Sequence, residues 1–230
     1  GGTAGTQWCS GVLGGLPQAA QAVGLHAKKK SVRAREQCRK DVAAQRRAWH
    51  ARVERVDPSR LVFLDESAAK TNMTRLYARS KKGERAVDYA PHGHWNTTTL
   101  IAGLTTQGPI APMVLDGPMD RIAFEAYLEQ VLIPELAPGS IVVMDNLSAH
   151  KSAAITEMLR VAEAAPWYLP PYSPDLNPIE LMWSKVKAFL RRAKARTQEA
   201  LCEAIAQALS EVTSEESLNF FHHSFACMQS

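Results

Sequence analysis

Ile141-Val142-Val143-Met144-Asp145 is the most informative run in the chain. Four apolar residues, three of them β-branched, are too few for a helix and read as a strand buried on both faces. The run stops at an acid. A second run of the same build, Leu61-Val62-Phe63-Leu64-Asp65, precedes it in the chain. In open α/β sheets, chemistry gathers at the carboxyl ends of strands. If the two strands are neighbours, Asp65 and Asp145 approach one another. Two carboxylates at ~3–5 Å do not both stay ionised cheaply unless a cation neutralises them. Oxygen-only ligation suits Mg²⁺ or Mn²⁺ rather than zinc. Taken singly, each aspartate reads first as an ordinary turn residue at a strand end.

Outward from these runs the chain alternates. Residues 96–104 alternate as a strand, with Leu100, Ala102 and Leu104 on one face and Thr97, Thr99 and Ile101 on the other. Gln107-Gly108-Pro109 turns the chain into a strand over 110–115, predicted to pair antiparallel with it. Asp120 caps a helix carrying Phe124, Tyr127, Leu128 and Val131 at helical spacing. A helix from about Ala149 carries Ile155, Met158 and Leu159, and residues 167–169 form a short strand. Helices follow from Pro178 (Ile179, Met182, Val186, Phe189), from Thr197 to about Val212, and from the capping box Thr213-Ser214-Glu215-Glu216. An antiparallel trio followed by β-α-β-α units predicts an α/β fold, a mixed five-stranded sheet with helices on both faces.

The 230 residues need no metal or disulfide to hold a core, and no apolar run reaches the ~20 residues of a membrane span. Cys9, Cys38, Cys202 and Cys227 form no C-x-x-C pair, so a reducing, cytoplasmic setting is the default expectation. The net charge of +4 is unevenly spread. Residues 28–60 hold 12 Lys/Arg against 4 Asp/Glu, residues 1–27 hold neither, and the rest of the chain is net −4. That layout divides the chain into an unassigned segment 1–27, a basic arm and linker helix 28–60, and a body 61–230. Asp41 is the expected cap of the linker helix, which runs to about Val56 with Val42, Trp49 and Val53 on one stripe. A basic arm on an acidic body suits a polyanion, and it is equally what a solvated helix looks like.

A third acid, Glu180, opens the helix after the proline-rich turn Pro170-Pro171-Tyr172-Ser173-Pro174-Asp175-Leu176-Asn177-Pro178. With Asn177 as N-cap, Glu180 occupies the capping-box position. It also lies on a different face from the apolar stripe, with Lys187 and Arg191 beside it. Three acids converging on one sheet edge make a two-metal phosphoryl-transfer site.

The segments Leu64-Asp65-Glu66-Ser67, Met144-Asp145-Asn146-Leu147-Ser148-Ala149-His150-Lys151 and Pro170 to Glu180 together resemble the catalytic blocks of the Asp-Asp-Glu transposases of bacterial insertion sequences, in the mariner-like superfamily. Asp145 and Glu180 have 34 residues between them, the spacing typical of that family. Pro91-His92-Gly93-His94-Trp95 and Lys28-Lys29-Lys30-Ser31 add to the likeness, which runs from about residue 28 to the C-terminus.

The resemblance implies a ribonuclease-H-like catalytic domain with Asp65, Asp145 and Glu180 as metal-binding triad. It implies Mg²⁺-dependent cleavage of transposon ends, with Mn²⁺ as a substitute, then strand transfer into target DNA by a homodimer. The family's N-terminal helix-turn-helix pair has no counterpart here, so the chain is expected to be a catalytic half. Asn146 and His150 are candidate supporting residues, though His150 is equally an ordinary helix-start residue. Glu66 and Asp175 are spare acids that the spacing passes over. Lys28, Lys29, Lys30, Arg33, Lys187 and Arg191 are the expected DNA contacts. A stand-alone nuclease of the same fold and a non-catalytic DNA-binding remnant are the alternatives.

Overall fold

Five strands pair in the order β3-β2-β1-β4-β5: β1 (Leu61–Ala69), β2 (Thr98–Thr105), β3 (Gly108–Asp116), β4 (Ile141–Met144) and β5 (Ala165–Tyr168). This computed structural model describes residues 34–90, 97–146 and 148–226, with backbone alone at 148 and 149. The segment 1–27, Lys28, Lys29, Lys30, Arg33, His92, His94 and Trp95 lie outside the described residues.

The sheet is mixed, as the strand patterns predict. β1 pairs antiparallel with β2 and parallel with β4; β2 and β3 form the hairpin, and β4 and β5 run parallel. The hairpin register shifts between Ile101 and Gly103. The bulged strand leaves Ala111 at φ 50°, and its backbone is satisfied from outside the sheet. Glu135 accepts from the Ala111 N–H at 2.9 Å, and the Tyr127 hydroxyl donates to its carbonyl at 2.8 Å.

Alternation along the strands splits the core in two. Leu61, Phe63, Leu100, Ala102, Leu104, Ile141 and Val143 face helices α1 (Lys40–Val53), α4 (Ile179–Ala193), α5 (Gln198–Ser210) and α6 (Ser214–Ala226). Val62, Leu64, Ile101, Val142 and Met144 face α2 (Arg121–Tyr127) and α3 (Ala153–Val161). After Tyr127 the helix widens into a π turn over Leu128–Leu132, which rotates the stripe by one position. Leu132 is fully buried as a result, and Val131 only partly. Among the described residues no helix is long and apolar enough to cross a membrane.

Several boundaries depart from the sequence reading. Helix α1 starts with Arg39 at its N-cap, and Asp41 sits in the first turn paired with Arg39 at 2.7 Å. It is also no free arm: Val42, Trp49 and Val53 are buried, and the Trp49 ring meets Trp167 edge-on at 5.8 Å. Contacts group α1 with the sheet and its helices in one compact unit that begins at Arg35. Helix α3 starts at Ala153, because Ser152 accepts from the Ile155 N–H at 3.1 Å and restarts the helix after a separate 3₁₀ turn, Ser148–Lys151. Strand β1 continues four residues past Asp65, carried by its pairing with β2. The capping box before α6 forms as read, with Thr213 and Glu216 exchanging backbone-to-side-chain bonds at 3.1 and 3.2 Å.

Candidate active site

Asp65 lies mid-strand, yet it reaches the sheet edge on the β4 side. The parallel ladder between β1 and β4 ends at Phe63 and Val143. Asp65 and Asp145 each lie two residues beyond that last pair, so the register sets them at the same level. β5 follows β4 in parallel to Tyr168, and the Leu169 N–H donates to the Met144 carbonyl at 2.9 Å. The chain then enters Pro170–Pro171, a 3₁₀ turn over Pro174–Leu176, and helix α4, whose first turn carries Glu180. A cavity of about 480 Å³ is lined by Asp65, Asp145, Asn146, Asn177, Glu180 and residues 169–174 of the turn.

The turn is held by α1. Tyr172 is left-handed at φ 56°, a conformation that a side chain carries only under external constraint. The Arg46 guanidinium grips Asp175 with both arms, at 2.6 and 3.0 Å, and donates to the Ser173 hydroxyl at 2.7 Å. Gln37 donates to the Tyr172 carbonyl at 2.6 Å. Asp175, a spare acid by sequence, is thus a fold contact. The sequence carried a sign of this: Arg46 lies on the apolar stripe of Val42, Trp49 and Val53, where a charge needs a buried partner.

Asn177 does not cap α4. Pro178 occupies the N-cap without a side-chain bond, and the Asn177 amide instead donates to Asp65 at 3.2 Å. No capping box competes for Glu180, which is exposed at the cavity. Asp65 also accepts from the Glu66 N–H at 2.8 Å. Burial, then the neighbouring Glu180, push the Asp65 carboxyl up to about 7, with Glu66 and Asp145 adding to the effect.

His150 is the residue that the sequence left most open. It is buried in the 3₁₀ turn after β4, with Nδ1 at 2.7 Å from Asp145 and Nε2 at 3.1 Å from Glu66. Burial opposes its protonation, but the two carboxylates outweigh it and push the imidazole up to about 9. Glu66, passed over in the sequence, is its second partner. The clue was strand alternation, which turns Glu66 away from Asp65 toward the α2 side.

Among six basic residues at and after α4, four are committed elsewhere. Lys185 pairs with Glu216, Lys194 with Asp88, and Arg196 donates to the carbonyls of Thr71 and Met73; Arg192 lies over the Phe189 ring. Lys187 and Arg191 have no ion pair among the described residues, and they continue the helical face of Glu180.

The donor set fits a hard divalent cation. Carboxylate and amide oxygens line the cavity, and the buried Asn177 Oδ1, beside Asp65, has no hydrogen-bond partner among the described residues. The three acids share the cavity without being gathered to ligation distance: no group of three or more His, Cys, Asp or Glu among the described residues is placed to hold a metal ion. Repulsion between like charges opposes a closer approach.

Comparison with known proteins bears on the family and the fold. The family described as DDE superfamily endonuclease matches residues 60–202, more than half of the chain. The Tcb1 transposase of Caenorhabditis briggsae is 33% identical over 95 residues, covering 40% of this chain and 34% of that protein. Tcb2 transposase of the same organism is 29% identical over 107 residues, 44% of this chain and 39% of that protein. The chain thus spans between a third and two-fifths of the length of these relatives. Among solved structures, the Mos1 transposase paired-end complex with left transposon end superposes with a TM-score of 0.72 at 17% identity, over 92% of this chain and 67% of that chain. The catalytic domain of Mos1 mariner transposase gives 0.58 at 14% identity, over 88% and 95%. These likenesses establish a shared ribonuclease-H-like α/β fold. With the family matched across the sheet, both strand acids and Glu180, the chain belongs to the DDE superfamily endonucleases.

Proposed function

We propose that this chain is the catalytic domain of a DNA transposase of the mariner-like superfamily, of the bacterial insertion-sequence type, acting by metal-dependent end cleavage and strand transfer. The observation that carries the reading is the convergence of Asp65, Asp145 and Glu180, from three separate elements, on one open cavity. Mos1 relatives crystallised as paired-end complexes with Mn and with Mg support divalent-cation use and DNA ends as partners.

In this reading Asp65, Asp145 and Glu180 are the ligands and catalytic residues, with Asn146 at the rim and His150 behind Asp145. Asp65, Asp145 and Glu180 would hold Mg²⁺ or Mn²⁺, which would supply activation of the attacking oxygen and stabilisation of the leaving oxygen of an in-line displacement. Arg46 and Gln37 fix the turn that presents Glu180. Lys187 and Arg191 contact backbone phosphates along α4, and Lys28, Lys29, Lys30 and Arg33 extend the grip upstream. The protein works as a homodimer on DNA in the bacterial cytoplasm, with residues 28–60 serving both as DNA-gripping segment and, through α1, as a brace for the catalytic body 61–230.

The test is strand transfer. Incubated with Mn²⁺, a pre-cleaved transposon-end duplex and supercoiled target, the full chain joins the 3′ end to the target. Nicking with no joined product would point to a nuclease and contradict the transposase reading.

A further inference from the structure

Asp145 is held from behind by a buried histidine with partners on both ring nitrogens. His150 is 3% exposed, and each ring nitrogen has its own carboxylate, Asp145 Oδ1 at 2.7 Å and Glu66 Oε1 at 3.1 Å. Phe124 stacks on the imidazole with centroids 4.3 Å apart and planes 27° apart, which fixes the ring plane. The Tyr168 hydroxyl donates to the His150 carbonyl at 3.0 Å, which fixes the backbone from β5. A first-turn polar residue at a helix start would have none of these restraints.

The two carboxylates joined by His150 belong to different spaces. Asp145 lines the cavity of the three acids. Glu66, turned away by strand alternation, lines a second cavity of about 310 Å³ on the α2 side, together with Ser67, Met119, Phe124 and His150. The imidazole therefore stands in the wall between them. A carboxylate's terminal torsion is broad and roughly two-fold, so a free aspartate samples orientations that present its oxygens badly to a cation. A fixed N–H on one oxygen removes that freedom, which is what outer partners of metal ligands do.

We propose that His150 is a positioning residue: the Glu66–His150–Asp145 strap sets the orientation of Asp145 toward the metal. This rests on the reading of Asp145 as a ligand. Removing a partner of this kind costs about 10- to 100-fold in metal affinity.

The experiment is Mn²⁺ binding to the full chain, followed by electron paramagnetic resonance without DNA, so that activity does not enter. Four variants are compared after their folding is checked by circular dichroism. Asp145→Asn should abolish the high-affinity site. His150→Leu should weaken it about 10- to 100-fold. His150→Asn places an amide where Nδ1 was and keeps the bond to Asp145, so it should bind nearly as wild type. His150→Gln places its amide where Nε2 was, keeps Glu66 and loses Asp145, so it should resemble His150→Leu. A merely structural histidine would not separate Asn from Gln in this order. Equal affinity of His150→Gln and wild type, or Gln binding better than Asn, would overturn the proposal. Should His150→Leu fail to fold, the Asn–Gln order alone decides. If Asp145→Asn binds Mn²⁺ as wild type does, the ligand reading itself fails, and that outcome is distinct from the strap's failure.

Discussion

Replacing Asp65 by Asn should make the metal-free protein more stable. The carboxyl is pushed from its ordinary 3.8 up to about 7, by burial first and by Glu180 next. A folded-state value above the unfolded one means that the folded chain holds a proton the unfolded chain has released. Its contribution to stability is full below about pH 4 and is lost as pH rises through about 7. The gap from 3.8 to about 7, at about 1.4 kcal/mol per pH unit, sets an upper bound of about 4 kcal/mol at pH 8. The carboxyl faces an open cavity, and solvent screening brings the expectation to about 2 kcal/mol. For a chain of this size that is a rise in Tm of roughly 4–8 °C. The assay is urea and thermal denaturation of wild type and Asp65→Asn in EDTA at pH 5 and pH 8. His150, raised to about 9, titrates in both proteins and shifts both in the same direction, so the difference between them isolates Asp65. The variant should gain on wild type as pH rises, and saturating Mn²⁺ should stabilise wild type alone. A variant no more stable than wild type at pH 8 would refute the claim that burial and the neighbouring acids make the ionised Asp65 costly in the metal-free site.

Two further outcomes follow from the same contacts. Arg46→Ala should lose about 1–3 kcal/mol in urea denaturation, because it removes a bidentate, charge-assisted bond to Asp175 at a partly buried site, and Arg46→Lys should recover less than half, since an ammonium cannot grip both oxygens. Lys187→Glu with Arg191→Glu should weaken DNA binding and lower the salt slope by roughly 1–2, with thermal stability unchanged; Lys185→Glu should instead destabilise the fold through Glu216.

The sheet and its two helical layers were legible because β1, β2 and β4 kept a strong apolar pattern and the turns had their own chemistry. Asp120 and Thr213 cap helices where they were expected to, and the helix read from Thr197 starts there with Thr197 as its cap. What local patterns could not carry were partnerships across long stretches of chain. Asn177 reads as a helix cap, yet its amide is drawn to Asp65, 112 residues away. Arg46 reads as part of a basic arm, yet a bidentate bond to Asp175, 129 residues away, makes it a brace. Asp65 reads as a strand end because the apolar run stops there; β2 continues the pairing regardless of side-chain polarity. His150 could be placed near the second aspartate, but its tie to Glu66 depends on β1 and β4 being neighbours.

The central claim is that Asp65, Asp145 and Glu180 form one metal-dependent centre. Nicking of supercoiled plasmid tests it most directly, comparing the full chain with Asp65→Asn, Asp145→Asn and Glu180→Gln in Mn²⁺ and in EDTA. The account predicts nicking by wild type in Mn²⁺ only, and its loss by at least 10²-fold in each variant with non-specific DNA binding retained. Nicking that survives any one of the three substitutions, or that persists in EDTA, would contradict it.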